Sequence, residues 1–363
     1  MSDAREELRA ILDEMAKYSI YVGLFPEEAK RQGKKSIFTN YPEPLVIPYK
    51  WDYEIAIKYL YKIAEYISPK ESERRVIHLV NPGLKEMKPF DTLAIAPTLT
   101  GGIQLIKAGE YAPAHRHTPT NLRLILEAPN DGAYIIYDGY KMNLEVGDVL
   151  VQSNWTLHEH HNDGKSDLIW LSGLDSPFLL YLGAIFYLRS EEKFQTSEGG
   201  EVILDTLGNS LKPLAISSQS YNPLIKYPFS RTKKALAELN EHNKIDEFEG
   251  IVVEYINPVN GGPALPTIDI KMRMIRPKSE LKPIRSTENT VFIPVEGNVV
   301  FDIMESNIGS LRINLKTRDP LIIPSWTKYR IINDDDKPAI LFSYSDKPIF
   351  DAFGLYRKEK FKE

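Results

Sequence analysis

The chain has 363 residues and a net charge of −5, with a pI near 5.9, which excludes the basic stripe of a nucleic-acid-binding protein. It contains no cysteine, so there is no disulfide framework, and any transition metal must be held by nitrogen and oxygen. No apolar run is long enough to span a bilayer, and the charged start Met1-Ser2-Asp3-Ala4-Arg5-Glu6-Glu7 lacks the apolar core of a signal peptide; the chain reads as cytoplasmic, with neither a membrane nor a nucleic acid as partner.

A chain this long exceeds one ordinary core. Asp3 is placed to cap a first helix, with Glu6 completing a capping box. Leu8, Ile11, Leu12 and Met15 follow at helical spacing. A polar stretch from Lys30 to Pro48 precedes a second helix from about Trp51 to Ile67, ended by Ser68-Pro69. Residues 1–90 thus read as an N-terminal helical segment that covers a sheet face or makes a subunit contact. From about Asp91 the pattern changes to short strands: Leu93–Ile95, Gly102–Ala108, Leu122–Ala128, Ala133–Tyr137, Asp148–Val151 and Leu168–Leu174. Turn signals at Ala108-Gly109, Pro129-Asn130-Asp131-Gly132, Asp138-Gly139 and Val146-Gly147-Asp148 separate them, which predicts an antiparallel sandwich or barrel over 91–190. Residues 191–249 read as a connector with a helix around Thr232–Asn240, and 250–363 as a second strand-rich region.

The second region echoes the first. Thr290–Val295, Glu296-Gly297, Asn298–Met304 and Leu311–Leu315 lead to Leu321-Ile322-Ile323-Pro324-Ser325-Trp326, parallel to the earlier run ending at Ser153-Asn154-Trp155. Such a repeat predicts a duplicated barrel. The copies differ chemically. Five of the seven histidines fall between 115 and 161, whereas the second copy has none. It offers Pro283, Ile284 and Arg285 in place of His115 and His117, and Lys328-Tyr329-Arg330 in place of His158.

In Tyr111-Ala112-Pro113-Ala114-His115-Arg116-His117, strand geometry points His115 and His117 to one face and Arg116 to the other. His158, in Thr156-Leu157-His158-Glu159-His160-His161-Asn162, can supply a third imidazole from a neighbouring strand. Neutral imidazole suits Zn, Cu, Fe or Ni. A lone histidine is usually a satisfied core or surface residue; three after matching glycine turns in one predicted barrel indicate a metal site. Arg123 lies six residues after His117 and keeps its parity, and its guanidinium fork suits a carboxylate. His160 shares the parity of His158 and can act as an acid or base or orient a ligand, while His161 points away and reads as structural. Trp155 reads as packing beside the site.

The two histidine clusters resemble the paired cupin motifs G-x5-H-x-H and G-x5-P-x-G-x2-H-x3-N. The second reads Gly147, Ser153, Trp155, His158, Asn162, with serine and tryptophan where the motif has proline and glycine. The glutamate that many cupins add after H-x-H falls here at Asn121 or Leu122, so that carboxylate ligand is missing. More narrowly, Ala112-Pro113-Ala114-His115-Arg116-His117-Thr118 with Leu122-Arg123 resembles the gentisate 1,2-dioxygenase family and its salicylate and 1-hydroxy-2-naphthoate dioxygenase relatives. So do Arg74-Arg75-Val76, Asn81-Pro82-Gly83-Leu84, Trp155 through His160, Trp170-Leu171-Ser172-Gly173-Leu174-Asp175, and Asn260-Gly261-Gly262-Pro263-Ala264-Leu265-Pro266-Thr267. Thr118-Pro119-Thr120-Asn121 and the Pro129–Gly132 turn depart from the commoner wording.

The resemblance implies a mainly β bicupin, two antiparallel β-barrels of jelly-roll type with N-terminal helices, assembled as a homo-oligomer (a dimer or tetramer). It implies one Fe(II) per chain on His115, His117 and His158, with the second barrel structural. The implied reaction uses O2 to open gentisate between the carboxyl-bearing and adjacent hydroxyl-bearing carbons, giving maleylpyruvate, or to open salicylate, a substituted salicylate or 1-hydroxy-2-naphthoate in the same way. It places a polar contact at Gln104 and brings Arg75 (or Arg74) and Asp175 to the pocket beside Arg123. A buried glutamine, surface ion pairs and a turn-closing aspartate are the plainer accounts of those three. Two other classes stand beside this one: a non-enzymatic metal-binding cupin, and a cupin enzyme such as a sugar isomerase using Zn or Mn, which the missing glutamate disfavours.

Overall fold

A computed structural model of the chain describes residues 2–20, 22–23, 27, 38–72, 75–85, 93–214 and 221–362. The Asp3 side chain, much of the Lys30–Pro48 stretch, Arg74 and Asp91 lie outside the described residues. The chain forms two compact units, Met1–Glu43 and Pro44–Glu363. The first contains the helix Ser2–Lys17, in which Leu12 is buried and Leu8 and Ile11 are exposed. Among the described residues no helix is long and apolar enough to cross a membrane.

Among the described residues the larger unit contains four sheets, antiparallel apart from the short pairing of Glu198–Gly199 with Tyr140–Asn143. In the first half, one sheet runs Tyr187–Arg189, Tyr111–His117, His158–Asn162, Ala133–Tyr137, Tyr140–Asn143, Glu198–Gly199. The other runs Lys226–Tyr227, Val149–Gln152, Asn121–Glu127, Leu168–Leu174, Leu99–Ile106, Arg75–His78. The second half repeats the plan: Thr290–Glu296, Ala339–Ser345 and Asp269–Ile275 are central to one sheet, and Val299–Glu305 and Lys328–Asn333 to the other. The hydrogen bonding gives pairs of sheets rather than one closed ring in each half.

Strand alternation sets where each half keeps its core. In Asn121–Glu127, Leu122, Leu124 and Leu126 join Ile103, Leu105, Ile169 and Leu171 with Ile270, Met272, Val291, Ile293, Phe342 and Tyr344 of the second half. The two halves are therefore joined back to back through one apolar seam. Each fully buried leucine or isoleucine there contributes roughly 1.5–3 kcal/mol. The opposite face of the same strand turns Ile125 toward Trp170, Leu150, Ile135 and Tyr137 inside the first half. Because both faces are covered, the strand reads as a near-continuous apolar run interrupted by Arg123.

The connector contains a counterpart of the N-terminal segment. Tyr49–Lys50 leads into the helix Tyr53–Ile63, and Lys226–Tyr227 leads into Phe229–Glu241. Asp319 accepts from the Tyr53 backbone N–H at 2.9 Å and from Lys50 Nζ at 3.3 Å. Asp148 accepts from the Phe229 N–H at 2.9 Å and from Lys226 Nζ at 2.8 Å. Each short strand pairs with the opposite half, Tyr49–Lys50 with Leu321–Ile323 and Lys226–Tyr227 with Val149–Gln152. The repeat thus begins before each helix. Tyr53–Ile63 covers a sheet face, against Arg75–His78 and Leu99–Ile106.

Register shows what replaced the histidines in the second half. Tyr329 stands opposite Ile284, as His158 stands opposite His115. Ser286 stands opposite Lys358, as His117 stands opposite Tyr187. An ionic cluster fills this interior. Lys271 is 2.9 Å from Asp269, Arg273 is 3.5 Å from Glu249, and Lys358 bonds Glu249 as well. Burial alone would raise the Glu249 carboxyl, but Arg273, Lys358 and Lys271 outweigh it and hold it at about 2. A carboxylate with a lowered folded pKa stabilises above its unfolded pKa, and the contribution disappears as pH falls through the folded value. Glu249→Gln is therefore expected to cost on the order of 2–3 kcal/mol at neutral pH. The deficit should shrink as pH falls from about 4.5 toward about 2, as read by denaturant melts across that range.

Candidate metal centre

The strand Tyr111–His117 places His115 and His117 on one face. His158 opens the strand His158–Asn162 directly opposite His115, and a register shift then sets His160 opposite Ala112. The turn before His158 puts Trp155 at φ 63°. The Trp155 backbone N–H donates to His117 O at 2.9 Å, tying that turn to the end of the histidine strand. The Trp155 ring packs on Phe186 at 4.7 Å.

These three histidines are buried, and one ring nitrogen from each lies within 4.8 Å of the others. Nδ1 of His115 meets Pro113 O at 2.8 Å, Nδ1 of His117 meets Pro119 O at 2.8 Å, and Nδ1 of His158 meets Thr156 O at 3.0 Å. A carbonyl only accepts, so each Nδ1 holds the proton and each Nε2 keeps its lone pair. Nε2 of His158 is buried and has no partner among the described residues, a costly state unless a ligand fills it. Burial, then His115, His117 and Arg123, press the His158 pKa well below the ordinary imidazole value, so it stays neutral and able to coordinate. This all-nitrogen donor set fits a first-row transition metal, and a metal would satisfy the orphaned nitrogen.

Across the interior, the second sheet of this half presents its inner face in register. Gln152 pairs with Asn121, Arg123 with Ser172, and Trp170 with both Ile125 and Gln104. Arg123 Nη2 donates to Gln152 Oε1 at 2.9 Å, and Nη1 donates to the Tyr137 hydroxyl. Gln152 Nε2 in turn sits 3.2 Å from His117 Nε2. These bonds fix the plane of the guanidinium beside the histidines. Gln104 is inward-facing and buried, with Nε2 donating to Ser172 Oγ at 2.5 Å. His160 stacks on Trp170, ring centroids 5.2 Å apart at 18°. His161 faces away, 3.0 Å from Glu159 and stacked on Tyr134.

Two expected pocket residues sit elsewhere. Arg75 lies opposite Leu105, on the outward parity of its strand. Its guanidinium forks onto Glu110 at 2.6 and 3.0 Å and also donates to Ile67 O. Arg75→Leu is expected to cost about 2 kcal/mol of stability and to leave substrate KM unchanged; melts and steady-state kinetics check both. Asp175 accepts from Thr120 N–H and Oγ1 and from Thr267 Oγ1. It holds the Thr118–Asn121 turn in place rather than facing the pocket, and burial raises its pKa. Sequence reasoning passed over Gln152 and Tyr137. The parity of Gln152 relative to Arg123 appears only once the strands are paired, and Tyr137 reads as ordinary apolar core.

No protein-family model matches the chain. It is 32% identical over 327 residues to gentisate 1,2-dioxygenase 1 of Aquipseudomonas alcaligenes, covering 89% of this chain and 90% of that protein. It is 30% identical over 324 residues to a 1-hydroxy-2-naphthoate 1,2-dioxygenase of a Nocardioides species, covering 88% and 80%. The crystal structure of salicylate 1,2-dioxygenase from Pseudaminobacter salicylatoxidans superposes with a TM-score of 0.83 at 26% identity, covering 98% of this chain and 97% of that one. The adduct of that enzyme with gentisate gives 0.85 at 25% identity, covering 98% and 94%. The chain therefore belongs to the gentisate, salicylate and 1-hydroxy-2-naphthoate 1,2-dioxygenase family, cupin oxidoreductases that cleave aromatic rings.

Proposed function

We propose that this chain is an Fe(II)-dependent dioxygenase that opens gentisate between its carboxyl-bearing and adjacent hydroxyl-bearing carbons, giving maleylpyruvate. The observation that carries the proposal is the pairing of three proton-fixed, buried histidines with the guanidinium of Arg123 across the same interior. His115, His117 and His158 would hold the metal, which when bound supplies the redox chemistry that lets O2 react with a phenolate.

The rest is the work of the side chains. Three neutral imidazoles leave the metal's charge to be balanced by the substrate, and among the described residues no carboxylate joins the cluster. A 2-hydroxybenzoate brings that charge as a hydroxyl–carboxylate pair. Arg123, with its plane set by Gln152 and Tyr137, binds the carboxylate through parallel N–H bonds. His160, held flat against Trp170, would take or return a proton at a ring hydroxyl. The buried walls exclude water, so each of these contacts is stronger than in solvent. Both atoms of O2 enter the product, so the reaction needs no other reductant.

A second reading, in which salicylate or a substituted salicylate is the true substrate, draws on the likeness to salicylate 1,2-dioxygenase. Protein loaded with Fe(II) without air, then given gentisate, salicylate and 1-hydroxy-2-naphthoate in parallel, separates the readings by O2 uptake. Uptake matched to gentisate loss and fastest with gentisate supports the proposal; uptake only with another acid moves the substrate; none, despite one iron per chain, overturns ring cleavage. By resemblance we also propose a homo-oligomer, a dimer or tetramer, to be sized by sedimentation.

A further inference from the structure

Asn121 is one of the two positions where the cupin resemblance would put a glutamate ligand, and its side chain is unusual in its isolation. It is fully buried, yet neither Oδ1 nor Nδ2 has a hydrogen-bond partner among the described residues. An amide in that state pays its desolvation cost twice, once for the donor and once for the acceptor. Register shows where it points. Asn121 lies opposite Gln152 on one side and Leu174 on the other. Gln152 reaches inward to Arg123 and His117, and residues paired across antiparallel strands share a face. Asn121 is therefore turned into the interior, on the face it shares with Gln152 and Arg123.

We propose that Asn121 is a specificity-determining residue whose amide hydrogen-bonds a ring hydroxyl of the aromatic acid beyond the 2-hydroxyl. The proposal rests on the ring-cleavage reading given above. Arg123 offers only donors, and a carboxylate only accepts, so those two match. The 2-hydroxyl and the carboxylate are then both engaged. An amide offers one donor pair and one acceptor, and a further hydroxyl both donates and accepts, so either orientation of Asn121 finds a partner in it. Gentisate carries such a hydroxyl and salicylate does not. A site with buried polar groups waiting for a hydroxyl rejects the analogue that lacks it.

Asn121→Leu keeps the branched, four-heavy-atom shape of the side chain, at a larger volume, and removes the polar atoms. Iron-loaded wild type and variant would be titrated anaerobically with gentisate and with salicylate by calorimetry, with iron content and the Tm of the metal-free proteins measured alongside. The expected result is gentisate binding weakened about tenfold or more, salicylate binding changed less than about twofold, iron retained, and a Tm equal to or above wild type. That last result separates a ligand contact from a structural residue, since deleting an unpaired buried amide relieves a cost. Equal loss for both acids, unchanged gentisate binding, or lost iron would each overturn the assignment, the last by making Asn121 a metal ligand. Asn121→Ala, run in parallel, guards against a leucine that fails to fold. If the wild type binds neither acid, the ring-cleavage reading falls with the proposal; if it binds both and the variants keep the same preference, only the proposal falls.

Discussion

His158→Ala is expected to abolish metal retention and oxygen consumption together. His158 lies at the centre of the trio, its ring 4.2 Å from His115 and 5.0 Å from His117. Coordination energies in protein sites run to about 10–16 kcal/mol across the ligand set, so losing one of three donors costs several kcal/mol, on the order of a thousandfold in affinity. Iron per chain after desalting should fall from one to near zero, and O2 uptake with it. The metal-free variant should melt close to the metal-free wild type, because alanine also deletes the orphaned Nε2. His161→Ala is the control. That ring is three residues away, stacked on Tyr134 outside the site, and its loss should leave iron content unchanged. Full iron in His158→Ala with undiminished turnover would remove the trio from the chemistry.

How much of this could be read beforehand depended on how far apart the partners lie in the chain. The His115–His117 pair needed only the two-residue period of a strand. Arg123 does reach the interior, but not by the six-residue parity with His117 that predicted it: that strand ends at His117, and Arg123 lies on Asn121–Glu127 of the facing sheet. Arg75 shows the limit of a local pattern. In a strand, one residue decides the face, and the acid that claims Arg75, Glu110, lies 35 positions on. Asp175 fails in the same way, since Thr267 is 92 positions away. The second helix was placed at 51–67 and forms over Tyr53–Ile63. The helix in the connector, expected at Thr232–Asn240, spans Phe229–Glu241. What no local pattern revealed was that the two are equivalent, because Asp319 and Asp148 define that equivalence only across the fold.

The duplication also lets the interiors of the two halves differ. The two halves share a seam built from outward faces, so an interior can change without disturbing the join. Reciprocal threonine bonds brace the seam: Asp175 of the first half accepts from Thr267, and Asp346 of the second accepts from Thr98. Behind that support, Ile284, Ser286 and Tyr329 stand where histidines would be, and the charges of Glu249, Lys271 and Arg273 fill the interior. A buried ion cluster is satisfied only when all members are present. The second half thus presents a closed ionic network where the first presents three histidines.

Arg123→Met should raise the dissociation constant for a 2-hydroxybenzoate by about 100-fold or more, from loss of a charge-assisted bidentate contact worth several kcal/mol. If Arg123 holds the carboxylate as proposed, it does so before and during reaction, so the loss should fall first on KM. A further drop in kcat is expected because the guanidinium also sets the ring's orientation, and small misplacements are costly. Arg123→Lys distinguishes charge from geometry. Lysine keeps the charge but lacks the fork that bonds Gln152 and Tyr137 together. It should recover part of the binding and little of kcat. Gln152→Leu provides the complementary test: it leaves Arg123 charged but releases its plane, so kcat should fall more than affinity does. Wild-type affinity for the substrate in Arg123→Met, with the fold intact by its melting curve, would place the carboxylate elsewhere and detach Arg123 from substrate binding.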